Sequence, residues 1–582
     1  MIDMVQQRGF GAPRPVQQQG GRGLVTVLNF VTKSHARAAA FLVVCGALFF
    51  LPGLFNIPPI DRDEARFAQA SKQMVETGDF VDIRFQDEVR YKKPVGIYWL
   101  QAAVVETASK LGLPRAQIRI WLYRVPSLIG GIGAVLLTYW AALAFVTRRG
   151  AVLAALVMCS SVMLGIEARL AKTDAVLLLT TTAVMGAMAR IYLSWQRGEG
   201  PYRTWTDSWA VPAIFWSAIA GSILVKGPLI LMFVGLCIIT LAVLDRSLEW
   251  IWRLRPWLGI VWVLLIAMPW FVAIYVKSGD SFFANSLGGD MLSKIARPQE
   301  AHGAPPGYYF LLFWLTFWPG SALAGMAAPA VWRAKREPGA QFLLAWVVPA
   351  WIVFELVITK LPHYVLPLYP AIAILIVGVL ERRVLSRAPW LVRGASWWFV
   401  VPAILSVASI ILGMAMLHQP LFAAWPFAAA SMIFGLFAWW MFDENRAERS
   451  LLNAVAASWA LGVCVWAIVM PSLPLFPSVE IARALRNVEC VGPSAAAAGF
   501  GEPSLVFMVG TSTLLTNGSG AADFLQQGSC RFALVESREE KAFAQRAEAI
   551  GLHYAIVTRV ESYNYSIGRS ASIAIFRSED TR

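Results

Sequence analysis

The chain has 582 residues and 25 tryptophans, with 57% hydrophobic and only 15% charged residues. An ordinary globular domain carries about 25% charged residues, so this composition excludes a soluble protein. Apolar runs of about 20 residues recur as far as position 470, each long enough to cross a hydrocarbon layer of about 30 Å. The composition therefore indicates an α-helical polytopic membrane protein.

The formal net charge of +14 at pH 7 is concentrated in polar breaks between these runs. The breaks rich in Lys and Arg are residues 148–149, 246–255, 333–336, 382–383 and 446–449. They alternate with breaks that are poorer in Lys and Arg, as the positive-inside rule expects of cytoplasmic loops. The charge therefore reflects topology and contact with membrane lipid, and the absence of a basic stripe with interleaved aromatic residues argues against a nucleic-acid partner.

Three domains are expected along the chain. Residues 1–37 are polar and rich in Gln, Gly and Arg, which is typical of a disordered cytoplasmic arm. Residues 38–470 form the transmembrane domain, whose first apolar run is too long for a signal-peptide core and predicts a signal anchor. The tail, residues 471–582, is less apolar and has the size of a small soluble domain.

The length criterion predicts about thirteen membrane spans. They are residues 38–57, 119–146, 151–168, 174–194, 210–225, 228–244, 257–276, 308–331, 341–359, 364–380, 396–417, 422–442 and 452–470. An odd number of spans after a cytoplasmic amino terminus leaves the tail and the first polar loop, residues 58–118, on the outer face. Every break rich in Lys and Arg then lies on the cytoplasmic side, as the rule requires.

The tail is expected to be an α/β domain. Strand-like apolar runs cover residues 504–509, 531–535, 554–560 and 571–576, and a polar helix is predicted over 538–550. Cys490 and Cys530 lie in this domain, where a disulfide is possible if the tail is periplasmic.

The first loop opens with Asp61, Asp63 and Glu64, directly before an amphipathic pattern that predicts an interfacial helix. One interpretation is that Asp61 or Asp63 caps this helix. The other is that Asp63 or Glu64 acts as a general base. A carboxylate at a helix start can do both.

Lys93 and Asp174 also have two interpretations each. Lys93, in the segment Tyr91-Lys92-Lys93-Pro94, either anchors a helix to headgroups or binds a phosphate at a helix entry. Asp174 either caps a helix and pairs with Lys172 or Arg169, or serves as a second acidic group facing the donor sugar or the acceptor.

Two histidines and a short basic segment complete the polar residues of this face. Lys360 to Tyr364 fits a phosphate clamp better than a membrane anchor, because it is charged within an apolar context. His302 and His363 are far apart in sequence, which favours local hydrogen bonds over a shared metal site.

Five sequence blocks together resemble the integral-membrane GT-C glycosyltransferases. They are DRDEARFAQ, YKKPVGIYWLQ, ARLAKTD, HGAPPGYY and KLPHYVLPLYP. Within that group the chain is most similar to the lipid A aminoarabinose transferases and to related protein O-mannosyltransferases, over most of residues 38–380. The resemblance implies a GT-C fold with interfacial helices in the first periplasmic loop and a small periplasmic carboxy-terminal domain.

The resemblance also implies roles for single residues. Asp63 matches the catalytic aspartate and Asp174 a second functional acidic position, while Lys93 and Tyr364 match donor-phosphate contacts. A further basic contact is expected from Lys294 or Arg297. The remaining candidates are Glu64 for catalysis, Lys360 for phosphate, and Asp61, Arg66, Arg169, Lys172, His302 and His363 for the acceptor or the sugar.

Lys92 departs from the aminoarabinose transferases, which have a metal-site glutamate at this position. Lys92 therefore argues against a bound divalent metal without excluding one, no other cofactor is implied, and the replacement also argues against the aminoarabinose specificity. The resemblance implies a bacterial inner-membrane enzyme that transfers a hexosyl or pentosyl group, with inversion, from undecaprenyl phosphate. The acceptor would be lipid A, a glycan or a protein at the periplasmic face.

Two other functions are compatible with a membrane protein of this kind. A transporter or flippase of lipid-linked sugars predicts ionisable residues along a path through the bilayer midplane. A membrane scaffold would rely on the tail, which has no recognisable site. The ionisable residues of this chain gather instead at one membrane face, which favours the enzyme.

Overall fold

The computed structural model describes residues 24–199, 209–286, 303–442, 446–488, 490, 492–528 and 530–579. Lys294, Arg297 and His302 lie outside these residues. Within the described residues, the regular structure up to Ser472 is helical apart from one short hairpin, and an α/β tail follows from Pro477. The described residues thus have the architecture of a multi-pass membrane protein followed by a domain with a β-sheet.

Eight described helices are long and apolar enough to cross a membrane. They are Ile120–Ala142, Asp174–Gln196, Pro256–Ser278, Pro338–Leu356, Pro362–Arg382, Pro389–Leu417, Phe422–Trp440 and Ala447–Ser472. Three further apolar helices are shorter: His35–Phe50, Ala210–Lys226 and Leu229–Asp245. The helical membrane fold is confirmed, whereas helix length alone does not establish thirteen spans.

Two of the predicted spans are broken helices. The run 151–168 divides into Arg148–Ser160 and Val162–Glu167, because Ser161 has extended backbone angles. The run 308–331 divides into Tyr308–Thr316 and Gly320–Arg333 on either side of Pro319. Proline lacks a backbone N–H and cannot continue the helical hydrogen bonds. Apolar length cannot reveal such interruptions.

Helix Asp174–Gln196 is the most enclosed of the eight, with 83% of its apolar window buried. It packs against Ile120–Ala142 and Ala210–Lys226. Asp174 is its first residue, so the fold places this carboxylate at one end of the bundle's central helix.

The first polar loop is built from two helices and a hairpin. Helix Asp63–Thr77, called the first-loop helix below, packs against helix Gly96–Lys110. The hairpin pairs Arg84–Phe85 with Glu88–Val89. A Cβ atom on Gly96 would lie 2.8 Å from the Leu224 carbonyl, so glycine allows Gly96–Lys110 to begin directly against the end of Ala210–Lys226.

The tail contains a five-stranded sheet. The spatial order of its strands is Leu514–Thr516, Ser494–Ala498, Arg531–Glu536, Arg569–Ser578 and Tyr554–Asn564. The first three are parallel and the last two are antiparallel to their neighbours. Helices Pro477–Arg486 and Pro503–Val509 cover one face, and helices Gly518–Gln526 and Glu540–Ala549 cover the other.

The structure corrects one tail prediction and adds two strands, Ser494–Ala498 and Leu514–Thr516. Residues 504–509 are helical, because a short apolar run fits a buried helix as well as a strand and Pro503 suits the first helical position. Ser494–Ala498 is a strand although alanine is a poor strand former. Cys490 and Cys530 form a disulfide.

Candidate active site

Glu64 is held by a buried ion pair. Its side chain is 1% exposed, as is that of Arg124, which donates to Oε1 from Nε at 2.7 Å and to Oε2 from Nη2 at 2.9 Å. The backbone N–H groups of Ala171 and Ile60 donate to the same carboxylate at 2.8 and 2.9 Å. Four donors therefore fix Glu64 and, with it, the start of the first-loop helix.

Asp63 is exposed beside this fixed neighbour. Arg62 occupies the helix cap and no side chain makes a capping hydrogen bond, so the predicted cap by Asp61 or Asp63 is wrong. Asp61 instead accepts hydrogen bonds from Ser504 in the tail. Asp63 is thus an exposed carboxylate on a rigid helix start, which is a suitable position for a base.

A second group of charges lies where several helices end. We call it the charge cluster: Glu167, Lys172, Asp174, Lys226 and His363. Lys172 Nζ lies 3.3 Å from Glu167 Oε1, and Lys226 Nζ is bonded to Asp174. His363 lies between the two carboxylates, with Nδ1 3.5 Å from Glu167 and Nε2 3.5 Å from Asp174.

The two halves of the site interact through Lys172. Burial lowers the pKa of this lysine, but the negative charges of Glu167, Asp174 and Asp63 outweigh it and raise the pKa above its usual value. The Asp63 carboxylate is therefore close enough to the charge cluster to act on it. The structure brings Lys172, Asp174 and His363 together, with Asp63 near enough for its charge to act on Lys172, whereas the membrane face on which they lie stays a prediction.

Within the described part of the chain, Glu167, Asp174 and His363 are the residues that could hold a metal ion. Their ligand atoms lie within 4.8 Å of one another. The two ring nitrogens of His363 face different carboxylates, whereas a histidine normally binds one ion through one nitrogen. Both carboxylates are also paired with lysines. This geometry fits a cluster of ion pairs better than a metal centre.

Tyr364 and the segment that carries Lys93 both lie near Lys226 of the charge cluster. Lys226 Nζ is 5.7 Å from the centre of the Tyr364 ring. Pro94 lies next to Gly227, where an added Cβ would be 4.0 Å from the proline ring, so the Lys93 segment meets the end of helix Ala210–Lys226. Basic and phenolic groups thus gather at one end of the bundle.

Three other candidates have different surroundings. Arg169 is buried, donates to the backbone carbonyl of Pro52 at 2.8 Å, and lies against the Trp466 ring. Lys360 is buried and donates to the carbonyl of Val357. Arg66 is half-buried in the first-loop helix, and its positive charge acts on Asp61. Arg66 therefore acts on Asp61 through its charge, whereas Arg169 and Lys360 donate hydrogen bonds to backbone carbonyls.

Arg124 was missed by the sequence reasoning, and neither Lys226 nor Glu167 was chosen as a site residue. Arg124 and Lys226 each stand in an otherwise apolar helix, and an ionisable residue at membrane depth is costly unless it has a partner. That signal was available for both. Their partners, Glu64 and Asp174, are distant in sequence and could not be assigned from it.

Residues 59–281 match the family model of the dolichyl-phosphate-mannose-protein mannosyltransferases. The undecaprenyl phosphate-alpha-4-amino-4-deoxy-L-arabinose arabinosyl transferase of Aeromonas salmonicida is 29% identical over 342 residues, which are 56% of this chain and 58% of that protein. The Edwardsiella ictaluri enzyme of the same name is 27% identical over 366 residues, 59% of each chain. The chain thus matches less than two thirds of the length of these relatives.

The fold is similar to a solved structure over nearly its whole length. The crystal structure of ArnT from Cupriavidus metallidurans bound to undecaprenyl phosphate superposes with a TM-score of 0.70 and 19% identity, covering 93% of this chain and 98% of that one. The structure of the same protein in the apo state matches equally well. The chain therefore has a fold similar to that of ArnT, and its sequence is similar to those of the aminoarabinose transferases and the protein mannosyltransferases.

Proposed function

We propose that this protein is a glycosyltransferase that takes a sugar from a polyprenyl phosphate, such as undecaprenyl phosphate, at the periplasmic face of the bacterial inner membrane. The acceptor is lipid A, a glycan or a protein. The observation that carries the proposal is the exposed Asp63 carboxylate at a helix start, near enough for its charge to act on Lys172 of the charge cluster. The names of the relatives agree with such a donor.

The reaction breaks the anomeric C–O bond to the phosphate and forms a new C–O bond to the acceptor with inversion. Asp63 accepts the proton of an attacking hydroxyl, or orients an acceptor phosphate that has no proton to lose. The departing phosphate keeps the bonding electrons. Fixed donors stabilise that charge in a site with little water, and we assign this role to Lys93, Lys226 and Tyr364.

The charge cluster keeps one of these donors, Lys226, in place. Asp174 holds Lys226 and faces His363, so its role is to orient the basic side of the site. Glu64 is assigned to positioning because four donors already occupy its carboxylate. Arg169 and Lys360 support backbone, and the contact expected from Lys294 or Arg297 stays a prediction.

The experiment uses the purified protein in proteoliposomes with a synthetic undecaprenyl-phosphate sugar and separate lipid A, glycan and protein acceptors. The proposal expects sugar on one acceptor and free undecaprenyl phosphate in equal amount. Movement of unchanged donor between leaflets would indicate a flippase and contradict the proposal. Mass spectrometry of envelope material from cells with and without the gene would identify the sugar and the acceptor.

A further inference from the structure

The tail holds the residue two positions before Asp63. The backbone N–H and the hydroxyl of Ser504 donate to the two carboxylate oxygens of Asp61 at 2.7 and 2.6 Å. The N–H of Asp61 in turn donates to the hydroxyl of Tyr565 at 2.5 Å. Arg62 donates to the carbonyl of Ser566 at 2.9 Å. The start of the first-loop helix is therefore bonded to two separate segments of the sheet domain.

This contact continues along the first-loop helix. Lys72 Nζ donates to the carbonyl of Phe507 at 3.2 Å, and Gln69 donates to the Thr511 hydroxyl at 2.8 Å. The Phe507 side chain is fully buried, with its ring 5.3 Å from that of Tyr123. Helix Pro503–Val509, which we call the docking helix, thus lies against the loop that carries Asp63.

Asp63 lies between two anchors of different origin. Glu64, on one side, is fixed by Arg124 of the membrane bundle. Asp61, on the other side, is fixed by the tail. The residues on both sides of Asp63 are therefore bonded to different domains, one to the membrane bundle and one to the tail. A displacement of about 1 Å can cost about a hundredfold in rate when a reacting group must be aligned.

We propose that the carboxy-terminal domain is a working part of the active site, in which Ser504 and Tyr565 are positioning residues that hold Asp63 through Asp61. This inference rests on the proposed function of Asp63. It assigns the tail a role in catalysis beyond attachment.

The chemistry of the contact supports this role. Attachment alone is served by apolar packing, such as that of Phe507, whereas placing a carboxylate between two domains has a desolvation cost. Burial raises the pKa of Asp61 to about 7, although the Ser504 hydrogen bonds act in the opposite direction. A costly polar contact two residues from the expected base supports a role in fixing the position of Asp63, beyond attaching the tail to the membrane domain.

The test compares S504A, Y565F and the double variant with S572A. Ser572 lies in the same sheet, with its hydroxyl bonded to Glu561 on an exposed surface, and serves as the matched control. Each test variant removes one hydroxyl without adding bulk. Steady-state transfer gives kcat and KM for the donor, and hydrogen exchange measured by mass spectrometry reports on the backbone of residues 58–68.

The proposal expects kcat to fall about tenfold to a hundredfold in the double variant with little change in KM for the donor, and S572A to match the wild type. Exchange in residues 58–68 should become faster in the test variants only. An active wild type with unchanged kcat in the double variant would overturn the inference and leave the proposed function standing. An inactive wild type would overturn the proposed function, and unchanged exchange would then still overturn the positioning role.

Discussion

Replacing Glu64 with alanine is expected to destabilise the whole protein. The substitution leaves two N–H groups of Arg124, on Nε and Nη2, and the backbone N–H groups of Ala171 and Ile60 without their acceptor. Breaking a buried ion pair from one side costs about 3–5 kcal/mol, and each unpaired buried N–H costs about 1–3 kcal/mol. The free energy of unfolding should therefore fall by at least about 5 kcal/mol, a large share of a typical total of about 5–15 kcal/mol.

Denaturant unfolding of purified E64A in detergent, followed by tryptophan fluorescence, measures this change. The control is E106A, which removes the pair of Glu106 with Lys110 at 2.8 Å, where the lysine side chain is 74% exposed. Exposed pairs contribute about 0.2–1 kcal/mol, so E106A should stay near the wild type. A stability of E64A equal to that of E106A would refute the assignment of Glu64 to positioning.

Three further results are expected. The folded-state pKa of Asp61, about 7, lies above its ordinary value, and Glu502 and Arg66 are the nearby charges. The stability that its bound proton contributes is therefore complete at low pH and is lost as the pH rises through 7. D61N should accordingly show a smaller fall in melting temperature between about pH 5 and 8 than the wild type. Replacing both Cys490 and Cys530, which are 40 residues apart, with alanine should lower the stability of the tail by about 4 kcal/mol. Resistance to proteolysis measures this change, and a variant as resistant as the wild type would contradict the expectation. Incubation with EDTA should leave transfer unchanged, because the cluster carboxylates are paired with lysines. Activity that EDTA abolishes and a divalent cation restores would contradict that expectation.

The sequence predicts the features that depend on residues close together along the chain. Apolar length and the placement of Lys and Arg predict a multi-pass membrane protein, because the bilayer imposes both. Asp63, Asp174 and Lys93 could be singled out because ionisable residues beside apolar runs are costly. Lys226 carried the same signal, although its partner Asp174 is 52 residues away and only the fold joins them.

The sequence could not separate Asp63 from Glu64. The two carboxylates are adjacent and chemically similar, and their difference arises from Arg124, which is 60 residues from Glu64. The docking helix was predicted as a strand for a related reason, because its short apolar run has no period that distinguishes the two structures. Its contact with Asp61 joins residues 443 apart, so the link between the tail and the site needed a structure.

The most direct test of the account is transfer by D63N and K93A, each with a control from the same loop. Asp87 is an exposed carboxylate in the hairpin and Lys110 an exposed lysine at a helix end, so D87N and K110A are the controls. The account predicts a loss of kcat of at least about a hundredfold in D63N with donor still bound, and weaker donor binding in K93A. Transfer by folded D63N at the rate of D87N would contradict it.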